Sequence, residues 1–218
     1  LRLSTLFCVG GMALSAFVVN AWYKPFSTIQ SLGITRGGSP AAEPLEFLVS
    51  DLLEHALRKN GQNWDKRTFG QTVEAVTEVS KRYHYRPAFV LSLIQHESRF
   101  DRAAISSAGA MGLTQLLPAT AHFAATNCGI APPSREELLE PGTNIRLGFA
   151  FFSYLEGLYG NRDAALTAYN GGPEALLRAV DGDLPLAGYR TAIYAGERDF
   201  TGWLKSPDGG SRAATTSP

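Results

Sequence analysis

The sequence predicts a mainly α-helical protein, on three observations. Apolar residues recur at three- and four-residue spacing through most of the chain from residue 45 onward. Few stretches alternate polar and apolar as a half-buried strand does, which leaves room for a minor β-hairpin and no more. Proline and glycine fall where helices open and stop. With 218 residues, 44% hydrophobic and 18% charged, the chain can bury one sizeable core and carry appendages. Lys+Arg and Asp+Glu both number 20, so the net charge is zero and the basic footprint of a nucleic-acid-binding protein is absent.

The elements follow in order. Residues 1–23 (LRLSTLFCVGGMALSAFVVNAWY) are uncharged from residue 3 to residue 23 and long enough to cross a bilayer. Two export readings stand side by side: a signal peptide cut near Val19 and Ala21, or an uncleaved anchor with Trp22 and Tyr23 at the interface. Cys8 follows the bulky Phe7, where lipoprotein processing requires a small residue, so lipidation is disfavoured. Cys128 then has no exported partner for a disulfide and reads as a small buried apolar residue.

Residues 24–44 carry Pro, Gly and Ser at short intervals and read as a linker. Residues 45–66 form an accessory helix and turn, with Leu45, Leu48, Leu52, Leu53, Ala56 and Leu57 on one face. The main domain covers 67–205. Its first helix is expected from a Thr68 cap to Tyr83, and a second opens at Pro87. Further helices are expected over Pro118–Thr126, Asn144–Leu158, Arg162–Tyr169, Glu174–Val180 and Tyr189–Leu204, with the break after Tyr169 set by Asn170, Gly171, Gly172 and Pro173. The tail, 206–218, lacks apolar residues to bury and reads as disordered.

The chemistry centres on VLSLIQHESRFDRAAISSAGAMGLTQLLPATA, residues 90–121. Val90, Leu91, Leu93 and Ile94 lead at helical spacing into Gln95, His96, Glu97, Ser98 and Arg99. A carboxyl that ends an apolar helix beside a loop of small residues loses hydration when ionised, which raises its pKa toward values useful to a general acid. Glu97 is that candidate; the competing reading is a helix-end glutamate paired with Arg99 or Arg102. Asp101 is a candidate second carboxylate or the cap of the next turn. His96 beside Glu97 invites a zinc reading, but an H-E-x-x-H helix needs histidine where Phe100 stands, and no other Cys and His set has ligand spacing. No metal or other cofactor is expected.

The order Glu97, Ser98, Phe100, Ala104, Ser106, Gly109, Ala110, Gly112, Leu113, Gln115, Pro118, Thr120 and Ala121 resembles the Slt-type lytic transglycosylase domain of the lysozyme-like superfamily. Two further blocks occur in the matching order: Asn144, Ile145, Arg146, Leu147 and Gly148, then Ala168, Tyr169, Asn170, Gly172 and Pro173. The resemblance covers roughly Phe69 to Leu204. It implies a lysozyme-like helical fold, and cleavage of the β-1,4 bond between N-acetylmuramic acid and N-acetylglucosamine in peptidoglycan glycan strands, with a 1,6-anhydro product. It implies Glu97 as the one catalytic acid and base, Ser106, Gln115, Tyr169 and Asn170 around the sugar, and Tyr189 as a further binding residue. Together with the apolar segment 3–23 it gives an exported, periplasmic protein, held at the inner membrane if that segment is uncleaved, with general wall turnover and an envelope-spanning machine as alternative settings. A muramidase of the same fold and an inactive peptidoglycan-binding scaffold are the alternatives. The chain departs from the family at Thr114 and Leu117, where methionine is common, at Phe151, where tyrosine is common, at Arg102, where proline is frequent, and in the Leu184–Ile193 block, which lacks the usual Glu-Thr before Tyr189.

Overall fold

Seven consecutive buried residues, Ala88 to Ile94, mark the middle of the molecule. They belong to a helix apolar all round, and such a helix is stable only when neighbours cover every side. The computed structural model describes residues 44–180 and 186–207. Of the leader or anchor and linker expected over 1–44, residues 1–43 lie outside the described residues, as do Leu184, Pro185 and the tail from 208, while Pro44 already belongs to the first helix. Eight helices are found among those described: α1 (Pro44–Lys59), α2 (Lys66–Tyr83), α3 (Pro87–Ser98), α4 (Pro118–Asn127), α5 (Arg135–Leu138), α6 (Pro141–Tyr159), α7 (Arg162–Val180) and α8 (Ala187–Leu204). The mainly helical fold is as expected. In place of a hairpin, two isolated bridges, Ile105 with Met111 and Met111 with Leu116, fold the segment between α3 and α4.

Local chemistry sets the helix ends. Pro87, Pro118 and Pro141 occupy first-turn positions, where a missing N–H costs nothing. α2 starts earlier than Thr68: Asp65 is the N-cap, accepting from the Thr68 N–H at 2.9 Å and from its hydroxyl at 2.8 Å. The short α5 follows a capping box in which Ser134 and Glu137 each bond the other's backbone. α7 breaks at Gly172 (φ 70°, ψ 176°), a conformation open to glycine, just before Pro173.

α3 packs on α8, α2 and α1, while α6 packs on α2, α7, α4 and α5. The α1 residues Val49, Leu52, Leu53 and Ala56 are fully buried in the same cluster as the α3 residues. α3 and α8 approach closely at Gly196, where a Cβ would stand 2.3 Å from Ser92 Oγ. The Ser92 hydroxyl donates to the Ile193 carbonyl at 2.6 Å across that contact. A smaller cluster of Met111, Leu116, Ala121, Ala124, Ala125, Leu138 and Leu147 joins the 104–117 segment to α4, α5 and α6. Phe151 packs against both clusters. Arg162, near the start of α7, donates to Glu156 on α6 at 2.8 Å, which fixes the direction in which α7 carries Tyr169. Among the described residues no helix is long and apolar enough to cross a membrane.

Candidate active site

The last turn of α3 carries Glu97, and the chain then leaves the helix through two non-glycine residues at positive φ, Arg99 (51°) and Phe100 (62°). That conformation costs of order 1 kcal/mol per residue, and the fully buried Phe100 ring holds it in place. Ser98 ties this turn to the facing segment, donating to the Leu113 carbonyl at 2.9 Å.

Glu97 is partly buried and accepts a 2.6 Å hydrogen bond at Oε1 from the Tyr189 hydroxyl of α8. Burial pushes its carboxyl up to about 7, and the Tyr189 bond, which favours the carboxylate, pulls less strongly the other way. No cation and no second carboxylate among the described residues contributes to that balance. Glu97 is therefore a Tyr189 partner and not the Arg99 or Arg102 partner of the competing reading. Asp101 is exposed and its Oδ1 accepts from the Ala103 N–H at 2.9 Å, the turn-capping role.

Tyr189 is itself buried; burial first, then the Glu97 charge, hold its hydroxyl well above the usual range, so it stays a donor. The His96 ring stands edge-on to the Tyr189 ring at 4.9 Å. Tyr169 is also raised, by burial and then by the Glu97 charge, and its hydroxyl donates to the Thr114 carbonyl at 2.8 Å. The two tyrosines thus meet the carboxyl from α7 and α8.

The 104–117 segment is held by Asn144, which is fully buried at the start of α6. Its Nδ2 donates to the Met111 and Leu138 carbonyls at 2.9 Å each, and its Oδ1 accepts from the Thr114 N–H and hydroxyl at 2.8 Å each. Gly112 (φ 74°) lets the backbone pass this side chain: a Cβ there would lie 2.4 Å from Nδ2. Gln115 follows in a left-handed conformation (φ 48°), with its amide donating to the Gly112 and Ala104 carbonyls at 3.0 and 3.2 Å. Both donors are spent within the chain, and the side-chain carbonyl is the group left for a ligand. Ser106 lies in the exposed turn of the same segment, its hydroxyl accepting from the Ala110 N–H at 3.0 Å.

Glu97, Tyr169 and Tyr189 are thus brought together, Gln115 stands next to the Thr114 carbonyl that Tyr169 binds, and Ser106 sits farther out on the same segment. Asn170 is exposed on α7, two residues before the break at Gly172. Thr114 and Asn144 organise the site without being candidates by residue type; the one local sign is a polar residue entering the apolar run of α6. Among the described residues no cluster of three or more His, Cys, Asp or Glu could hold a metal.

Residues 74–184 match the family model described as the transglycosylase SLT domain. The chain is 37% identical over 123 residues to the membrane-bound lytic murein transglycosylase C of Glaesserella parasuis serovar 5, covering 51% of this chain and 34% of that protein. It is 35% identical over 126 residues to the protein of the same name from Haemophilus influenzae, covering 53% and 35%. The chain thus spans about a third of the length of these relatives. Among solved structures it resembles the lytic transglycosylase Slt of Pseudomonas aeruginosa, described as an inactive Glu-to-Gln mutant, with a TM-score of 0.54 and 26% identity, covering 62% of this chain and 24% of that one. The 70 kDa soluble lytic transglycosylase of Escherichia coli shares the fold, with a TM-score of 0.53 and 18% identity, covering 77% and 32%.

Proposed function

The chain belongs to the transglycosylase SLT domain family, and from that premise we propose that it is a peptidoglycan lytic transglycosylase in which Glu97 performs both proton transfers. The observation that carries this reading is a lone carboxyl at the end of a buried helix, titrating near 7 and held at one oxygen by Tyr189. A carboxyl poised there is a competent acid before the bond breaks and a competent base after it.

With Oε1 occupied by Tyr189, Oε2 is the oxygen that faces the glycosidic bond between N-acetylmuramic acid and N-acetylglucosamine. Protonated Glu97 gives its proton to the leaving oxygen as the C1–O bond breaks. The carboxylate then takes the proton of the muramyl C6 hydroxyl while O6 closes on C1. Glu97 ends as it began, the product carries a 1,6-anhydro ring, and no water is consumed. Tyr189 donates throughout, and its bond strengthens when Glu97 is ionised. Tyr189 is therefore a positioning residue for Glu97 in this scheme, more than the sugar contact expected from the sequence. No second carboxylate is needed, because the substrate supplies the nucleophile that two-carboxylate glycosidases supply themselves.

Tyr169 sets the Thr114 carbonyl and, through it, Gln115; the Gln115 carbonyl, Ser106 and Asn170 are assigned to sugar hydroxyl and amide groups. The site acts in the cell envelope, as the names of the membrane-bound relatives suggest. Residues 1–23 are assigned to export or anchoring, 24–44 to a spacer, 45–66 to an accessory element and 67–205 to the catalytic unit. The inactive Glu-to-Gln relative from Pseudomonas aeruginosa supports Glu97→Gln as the direct test. Purified wild-type chain is expected to release soluble muropeptides from sacculi and the variant to release none. Equal release by both would refute the assignment of the acid.

A further inference from the structure

Phe151, Tyr154 and Leu158 stand at i, i+3 and i+7 on one face of α6. None is fully covered: Phe151 and Tyr154 are half-buried and Leu158 is 50% exposed. Phe123 reaches the same face from α4, edge-on to Tyr154 at 5.0 Å and to Phe151 at 6.3 Å between ring centroids. The Phe151 ring lies nearly parallel to Tyr154 at 6.3 Å. In the other direction it lies 5.9 Å from the ring of Tyr169, whose hydroxyl is fixed to Thr114 at the active site. A continuous apolar row therefore runs outward from the catalytic carboxyl, through Tyr169 and Phe151 to the Phe123 and Tyr154 pair, and ends at Leu158.

Leaving such a row accessible forgoes burial energy that a covered face would gain, so its persistence points to a ligand. Its continuity with the Glu97 site says which one. A polymer whose bond is cut at Glu97 extends past the cut, and its next units lie along whatever surface adjoins the site. A pyranose ring offers a face of C–H groups with slight positive charge, which matches the negative face of an aromatic ring. The row carries no charged side chain of its own that would select an anionic or cationic partner.

We propose that Phe123, Phe151 and Tyr154 form a glycan-binding platform that grips N-acetylated pyranose units remote from the bond being cut. The identity of the polymer rests on the lytic transglycosylase reading above. Binding energy collected on remote units can be spent on orienting and distorting the sugar at Glu97, so the platform acts on turnover as well as on affinity.

The test measures binding of an N-acetylglucosamine hexamer by calorimetry in the full chain bearing Glu97→Gln, and release of muropeptides from intact strands in the active chain. Phe123→Ala combined with Tyr154→Ala is expected to weaken hexamer binding about tenfold and to slow strand turnover, whereas Tyr154→Phe, which keeps the ring, is expected to match the parent. Because both alanine changes remove packing, Leu158→Trp provides a gain-of-binding arm at a half-exposed site: it is expected to tighten hexamer binding severalfold. Hexamer affinity unchanged in both the alanine pair and Leu158→Trp would overturn the proposal. So would an alanine pair that only converts a dimer to a monomer, which would make the row a self-association surface. A wild-type chain that releases no muropeptides but still shows these affinity differences would refute the catalytic reading and leave the platform standing.

Discussion

Replacing Glu97 by glutamine keeps the side chain's shape and an oxygen that can accept from Tyr189, and removes the charge. In the folded chain the carboxyl titrates near 7, against 4.5 when unfolded. The folded state therefore holds the proton more tightly, so its stability from this group is fully present below about pH 4.5 and is lost as pH rises through 7. The difference corresponds to about 3 kcal/mol set against the folded state once Glu97 is ionised; partial solvent access reduces this to about 2 kcal/mol. Glutamine does not titrate and escapes that cost. Glu97→Gln is thus expected to melt about 4–8 °C above wild type at pH 8, with the gap closing as the pH falls toward 4.5. Thermal unfolding followed by circular dichroism across that range measures it. A gap independent of pH, or a wild type that is the more stable at pH 8, would refute the account of Glu97 as a carboxyl raised by burial.

Three further outcomes follow from the same geometry. Tyr189→Phe removes the one group that lowers the Glu97 pKa, so the falling limb of kcat/KM is expected to move up by about one pH unit, with lower kcat; a limb that moves down or stays put contradicts the positioning role. Asn144→Ala removes four buried side-chain hydrogen bonds; the Met111 carbonyl keeps the Leu116 N–H and the Thr114 hydroxyl keeps the main-chain carbonyl of residue 144, so the Thr114 N–H and the Leu138 carbonyl bear most of the loss, and the change is expected to cost about 2–4 kcal/mol in denaturant unfolding, with activity lost faster than folded protein. Gly196→Ala places a Cβ against Ser92 and is expected to cost about 1–3 kcal/mol, partly recovered by Ser92→Ala; equal melting of Gly196→Ala and wild type would show that α3 and α8 are not in close contact there.

The helices were legible because each has a local cause. Pro87 and Pro118 are expected to open helices and do, whereas α6 opens at Pro141, three residues before the expected Asn144, because that proline also suits a first helical turn; the Asn170–Pro173 cluster breaks α7 where glycine allows it. The cap of α2 was misplaced by three residues because Asp65 and Thr68 both have capping side chains, and their mutual bonds decide which one caps. α5 was missed, although Ser134 and Glu137 spell a capping box, because a single helical turn has no hydrophobic period to detect. At the candidate site, the helix-end position of Glu97 was legible from the apolar run before it, but its choice of Tyr189 over nearby arginines was not. That choice spans 92 residues and depends on α8 folding back along α3. Asn144 was visible only as part of a motif. Its four bonds gather Met111, Thr114 and Leu138, and no pattern within α6 records what those distant backbone groups require.

The central claim is that one carboxyl closes the muramyl C6 hydroxyl onto C1 without water. Mass analysis of muropeptides released from sacculi by the wild-type chain, in water enriched in heavy oxygen, tests it most directly. Products are expected to carry 1,6-anhydro ends, lighter by one water than the hydrolysed sugars and free of solvent oxygen at C1. Reducing ends labelled from the solvent would identify a hydrolase and contradict it.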